Sequence, residues 1–176
     1  MSWTIEERAW DDPAGEALRT AQRAELDARY GSDDHEPGAA PSAADIDVFV
    51  VAVTADGRAI GCGALRRLDA GSAEVKRMYV EPASRGSGVA AALLRSLEEA
   101  ARTRGWTTLR LETGPAQPDA IRFYEREGYL QIPLFGPYVG SDNSVCYERR
   151  LHAVAFTRSQ RGGATRNSRD HDMRSY

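Results

Sequence analysis

The sequence predicts one α/β (α+β) domain built on a mixed, mostly antiparallel sheet. Three observations predict it: β-rich runs separated by turn signals between 47 and 80, a change to helical periodicity over 87–104, and a return to strand at 108–113. The first is an antiparallel meander. The other two form a βαβ crossover, because parallel strands need a long connection between them. A chain of 176 residues suits a single core that needs no staples.

The elements follow in order. Trp3, Thr4 and Ile5 alternate as a first strand. Residues 13–29 read as helix, with Pro13 in the first turn and Leu18, Ala21, Glu25 and Leu26 as a partial apolar stripe. Residues 31–44 are rich in Gly, Pro, Ser, Asp and Ala and predict a loop. The run 47–54 is β-branched and nearly all apolar, as in a central strand. Ala55, Asp56 and Gly57 turn the chain into a strand over 59–67, and Asp69, Ala70 and Gly71 turn it again into 74–80. In the next helix Val89, Leu93, Leu97 and Ala100 recur at helical spacing, and Leu94 and Ala101 widen the stripe before Gly105 stops it. A short helix over 119–127 ends at Gly128, and 145–151 is the last strand.

Composition narrows the function classes. The hydrophobic fraction of 41% and charged fraction of 28% suit a soluble globular protein, and the net charge of −3 argues against nucleic acid as partner. No apolar run approaches the roughly 20 residues of a membrane span. The N-terminus has no basic start leading into an apolar stretch, so a cytoplasmic location is expected. Cys62 and Cys146 form no metal-binding pair and read as buried, reduced thiols. His35, His152 and His171 complete no catalytic triad, and no metal is expected. The domain is expected to end near 152. The remainder, 153–176, reads as a disordered basic tail, with five arginines against two aspartates over 158–176 and no branched aliphatic residue there.

The strand 74–80, the connection 81–84 and the run Arg85, Gly86, Ser87, Gly88, Val89, Ala90 lead into the central helix. Gly86 and Gly88 lack Cβ atoms and let a bulky ligand approach the backbone. The first amides of a helix have no internal partner and, with the helix dipole, attract anions. A diphosphate is the natural ligand. Gly86 through Ala91 also fits the dinucleotide pattern G-x-G-x-x-G/A. Residues 81–85 separate it from its strand, however, and that strand closes a meander rather than opening a series of βαβ units. A Walker A loop is excluded, because no Lys-Ser or Lys-Thr follows.

These residues resemble the GNAT superfamily of N-acetyltransferases. The run Arg85 to Ala90 matches its Q/R-x-x-G-x-G/A pattern, and 120–129 resembles its second signature, an A-x-x-x-Y helix before a Gly-aromatic strand start. The run LETG..QP.AI..Y...GY, here 111–129, is similar to small bacterial members. The resemblance spans roughly 3–151. It implies a mixed, mostly antiparallel sheet of six to seven strands flanked by about four helices. It also implies acetyl-CoA as co-substrate and a primary-amine acceptor on a small molecule or protein, in a family where homodimers are common; charge and the short apolar runs leave no nucleic acid or membrane partner expected.

The resemblance also assigns roles. Met78, Tyr79 and Val80 would line the pantetheine arm where a β-bulge splays two strands, and Arg85, Gly86, Ser87, Gly88, Val89, Ala90 and Ala91 would hold the diphosphate. Gln117 stands where many members carry a cofactor-reaching asparagine. Tyr124 matches the tyrosine whose hydroxyl reaches the CoA sulfur and would be the acid. Glu74, at the start of its strand, is the leading base, and alternation puts it on one face with Lys76, Met78 and Val80. Glu112 is the rival, and a water chain is a third route. Residues 26–30, 31–44 and 135–143 resemble the variable roof of the acceptor site, where Asp33, Asp34 and Glu36 could attract a cationic amine. A non-catalytic acyl-CoA sensor and a dinucleotide-binding oxidoreductase are the competing readings.

Overall fold

A computed structural model describes residues 2–152 of the chain. The basic segment expected to be a tail lies outside the described residues. The elements run β1 (Trp3–Glu7), α1 (Pro13–Tyr30), β2 (Val48–Thr54), β3 (Ala59–Arg67), β4 (Ser72–Val80), α2 (Val89–Thr103), β5 (Thr108–Thr113), α3 (Pro118–Arg126), β6 (Leu130–Ile132) and β7 (Val145–Arg150). Single 3-10 turns occupy Pro82–Ser84 and Gly136–Tyr138. The described residues thus hold three α-helices where about four were expected. The Gly- and Pro-containing stretch after α1 forms no helix.

All seven strands join one sheet in the order β1-β2-β3-β4-β5-β7-β6. Every pairing is antiparallel except β4 with β5, which are parallel and linked through α2. The short strand β6 was not legible in the sequence; it pairs with β7 through Leu130, Gln131 and Ile132.

Local sequence explains the ends of α1. The Asp12 side chain accepts the Gly15 amide at 2.9 Å, Pro13 occupies the first turn, and Gly31 closes the helix in the left-handed region. Leu18 of α1 packs on one sheet face with Phe49, Val51, Val53, Cys62 and Ala64. On the other face Val89, Leu93, Leu94 and Leu97 of α2 pack on Val48, Val50, Ala52, Leu65 and Val75, and Tyr124 of α3 joins that core. Burial of this apolar area is the main stabilising term. β2 is buried along its whole length because it is covered on both faces. Cys62 and Cys146 are both free and buried.

β4 is where the sheet is interrupted. Cys62 pairs with Tyr79 and Ala64 with Lys76, so Gly63 alone opposes Arg77 and Met78. That count is a β-bulge on β4. Arg77 takes φ 56°, the one positive φ at a non-glycine residue among those described. A Cβ on Gly63 would sit 2.6 Å from Met78 Sδ and 3.0 Å from Leu97 Cδ1, so the packing of α2 over the bulge requires glycine there. The bulge corrects the expected alternation. Val75, Met78 and Val80 contact the α2 core and Tyr79 the α1 core, so Glu74 and Lys76 do not share a face with Met78 and Val80. Pairing with β5 ends at Val75–Leu111, and beyond it the two strands part.

Candidate active site

The gap between β4 and β5 opens into a cavity of about 500 Å³. Its walls are Met78, Tyr79 and Val80, the turn with Arg85, Gly86 and Gly88, the first residues of α2, and Gln117, Ala120, Phe123 and Tyr124. All expected cofactor residues line it except Ser87, whose hydroxyl turns back to the Ser84 carbonyl. Ser87 could contribute only its main chain.

The amides at the helix start of this wall are free to bind. Gly86 and Gly88 take φ 76° and 85°, and a Cβ on either would meet nothing within 4 Å. Glycine is needed there for backbone conformation, and the space above remains open. Ala92 is the first residue of α2 whose amide is taken, by Gly88 O at 3.1 Å, which leaves the amides of Val89, Ala90 and Ala91 without helical acceptors. On the unpaired edge of β4, Gln22 Nε2 donates to Met78 O and Arg85 Nε to Val80 O, each at 2.9 Å. Arg85 also donates to Glu25 at 2.7 Å.

A second, smaller cavity of about 90 Å³ lies on the other side of Tyr124. The two cavities share Gln22, Leu26, Met78, Gln117, Ala120 and Tyr124, so they meet through one neck. The second is walled by Tyr30, His35 and Glu36 above and by Lys76, Arg77 and Glu112 below. Gln117 donates to the Tyr30 hydroxyl at 3.3 Å, which fixes it in the neck. Tyr124 is buried with a raised pKa, caused by desolvation, and none of the described residues hydrogen-bonds its hydroxyl. It is a protonated phenol with a free donor.

The two candidate bases are separated. Glu74 is 1% exposed and lines neither cavity. It accepts from the Tyr138 hydroxyl and from Arg66 at 2.9 Å, so both oxygens are engaged in the interior. The bulge accounts for this position, since Glu74 lies before it and on the face away from Met78 and Val80. Glu112 does line the second cavity. Burial pushes its carboxyl up to about 7, against the lowering effects of a 2.8 Å hydrogen bond from Ser144 and the charge of Lys76, while Glu36 and Glu74 raise it further.

The roof residues behave unequally. Asp33 and Asp34 are exposed, but Glu36 turns inward and accepts from both Lys76 and Arg77. Burial opposes its charge, yet the two cations outweigh burial and hold its carboxyl at about 2. Glu36 is therefore committed to an internal ion cluster and is not a free attractor for an amine. His35 contacts Asp27 at 2.7 Å and stacks on Tyr30. His35, Lys76, Arg77, Gln22 and Ser144 were not singled out as site residues, because only folding brings them to the neck or to Glu112. Among the described residues no helix is long and apolar enough to cross a membrane.

Comparison with known proteins agrees with this geometry. The acetyltransferase (GNAT) family matches residues 7–129, and the chain belongs to that family. It is 36% identical over 106 residues to an IAA acetyltransferase of Azospirillum brasilense, covering 60% of this chain and 69% of that one. The fold matches a Klebsiella pneumoniae protein assigned as an acyl-CoA N-acyltransferase, with TM-score 0.72 and 35% identity over 85% of this chain and 98% of the other. The PaiA N-acetyltransferase of Thermoplasma acidophilum, solved with coenzyme A, shares the fold at TM-score 0.64 and 20% identity, covering 86% and 100% of the two chains. GNAT acetyltransferases transfer an acyl group from acyl-CoA to amine acceptors.

Proposed function

We propose that the chain transfers the acetyl group of acetyl-CoA to a primary amine by direct attack, with Glu112 as base and Tyr124 as acid. The observation that carries this reading is the neck at Tyr124. On one side lie unpaired helix-start amides suited to a diphosphate, and on the other a carboxyl that titrates near neutral pH. The lining of the larger cavity runs from Gly86 to Met78, which would put a diphosphate at one end and a thioester at the neck. The fold is shared with a protein solved with coenzyme A, which supports the same co-substrate.

Bound acetyl-CoA would supply the activated thioester. Amides of Val89 to Ala91 would grip the diphosphate. Glu112 takes a proton from the incoming ammonium, a task suited to a pKa of about 7. The outward amides of Met78 and Val80, which have no β5 partner, face the place where negative charge develops on the thioester oxygen. Tyr124 delivers its proton to the departing sulfur. The sensor reading gives Tyr124 no task, although its hydroxyl has no partner among the described residues and the side chain lines both cavities.

The test is thiol release from acetyl-CoA against a panel of primary amines, with Tyr124→Phe alongside. Turnover should fall about 100-fold in the variant, with CoA affinity by calorimetry unchanged. CoA binding without thiol release from any amine would favour the sensor, and binding of NAD but not CoA would reject both.

A further inference from the structure

Resting on the assignment of Glu112 as base, we propose that Ser144 and Ser141 form a two-hydroxyl relay that carries the abstracted proton from Glu112 to solvent.

Proton balance creates the need. An acceptor arriving as an ammonium loses two protons on becoming an amide, and the CoA thiol takes only one. The other must reach bulk water, and Glu112 receives it first. Glu112 is half-buried and lines the small cavity, and an acceptor filling that cavity would block the way out through it, so the proton needs a route behind the carboxyl.

The contacts behind Glu112 provide that route. Ser144 Oγ lies 2.8 Å from Glu112 Oε1 and 3.0 Å from Ser141 Oγ. Ser141 is half-buried beside exposed Asp142 and Asn143, and its oxygen accepts the Asn143 amide at 3.3 Å. Ser144 has one hydrogen and two oxygen neighbours, so it donates to one while accepting from the other. With Glu112 ionised, Ser144 donates to the carboxylate and Ser141 donates to Ser144. With Glu112 protonated, the carboxyl donates to Ser144, and Ser144 donates to Ser141. The transfer is the reversal of these bonds: each oxygen passes one hydrogen outward, and Ser141 releases one to water. No oxidant, metal or other reactant enters.

The remaining neighbours of Glu112 offer no such exit. Lys76, Glu74 and Glu36 act on it through charge, and Lys76 and Glu36 are bonded to each other. Tyr138 donates to Glu74, and the thiol of Cys146, on the paired strand, is buried. His35, Arg77 and Tyr124 share its cavity, but His35 is engaged with Asp27, Arg77 with Glu36, and the buried Tyr124 serves the sulfur in the proposed reaction. Ser144 is thus a positioning residue that also sets the ionisation of the base, because its hydrogen bond favours the carboxylate.

Four variants separate the roles, read by the pH profile of kcat with the best amine of the panel and by carbon NMR of the Glu112 carboxyl in the CoA-bound protein. Ser144→Ala should lower kcat about tenfold and raise the Glu112 midpoint by about one pH unit, the scale of a lost charge-assisted hydrogen bond. Ser144→Thr should restore both. Ser141→Ala keeps the bond to Glu112, so it should lower kcat with the midpoint unmoved and be rescued by millimolar imidazole buffer. Wild-type kcat in both alanine variants, with Glu112→Gln inactive, overturns the relay and leaves the base standing. An active Glu112→Gln overturns the base reading itself. An unmoved NMR midpoint in Ser144→Ala overturns the positioning role whatever the turnover.

Discussion

Glu112 holds a carboxyl where water is scarce, and this has opposite consequences for chemistry and for stability. Its pKa in the folded chain is about 7 against an ordinary 4.5, with burial the largest cause. Between those values the folded state keeps a proton that the unfolded chain releases. The sign follows: the contribution of Glu112 to stability is most favourable below pH 4.5, declines as pH rises, and carries the full penalty above about 7. The scale is about 3 kcal/mol. Glu112→Gln keeps the shape and removes the charge. It should be more stable than the parent at pH 8 by up to about 3 kcal/mol, equal to it at pH 4, and at least about 100-fold slower in turnover. Urea unfolding at the two pH values checks the first statement. Equal stability at pH 8 would mean that the carboxyl is well solvated. The parent's turnover should rise through pH 7 as the base ionises.

Among the elements, the start of α2 and the bulge of β4 build the site, and they differ in how far the sequence announces them. Gly86 and Gly88 announce the first, because a positive φ before a helix favours glycine. Gly88→Ala isolates that conformational demand, since its Cβ would meet no atom within 4 Å. The left-handed conformation should cost about 1 kcal/mol of stability. CoA affinity should fall with it as the free amides are re-aimed. Unfolding and calorimetry on the same variant would measure both, and an unchanged affinity would place the diphosphate elsewhere. The bulge has no such signal. Arg77 adopts φ 56° without being Gly, Asn or Asp, and period-two alternation carried through it put Glu74 on the wrong face. The meander, the crossover and the two long helices were legible because each has a strong hydrophobic period. β6 has three residues, of which Leu130 and Gln131 are exposed, and so has no pattern to read. The resemblance singled out Tyr124, which lines both cavities. That Glu74 is paired in the interior while Glu112 lines a cavity was not legible, because it depends on which carboxylate the tertiary structure pairs internally.

Across the whole molecule, one side chain ties the loop after α1 to the sheet. Glu36 joins that loop to Lys76 and Arg77 of β4, with Arg23 of α1 at 3.6 Å, so α1, the roof loop and the bulge meet at one carboxylate. Lys76 and Arg77 are themselves buried, at 6% and 9% side-chain exposure. Removing their shared partner leaves Arg77 with no carboxylate among the described residues and Lys76 with only Glu74 at 3.7 Å, which is worse than never having buried the cluster. The Glu36 carboxyl is held at about 2, below its ordinary 4.5, so its stabilisation is present above pH 4.5 and is lost as pH falls toward 2. Glu36→Gln should therefore destabilise the fold by about 3–5 kcal/mol at pH 7, and the gap to the parent should narrow between pH 4.5 and 2. The roof also carries His35 and, through Tyr30, the hydrogen bond to Gln117, so loosening it should raise the acceptor KM more than it weakens CoA. Urea titrations across that pH range, with calorimetry for CoA and steady-state kinetics for the acceptor KM, test the three statements together. A variant as stable as the parent at pH 7 would show that Glu36 merely rests on the cations and that something else holds the roof.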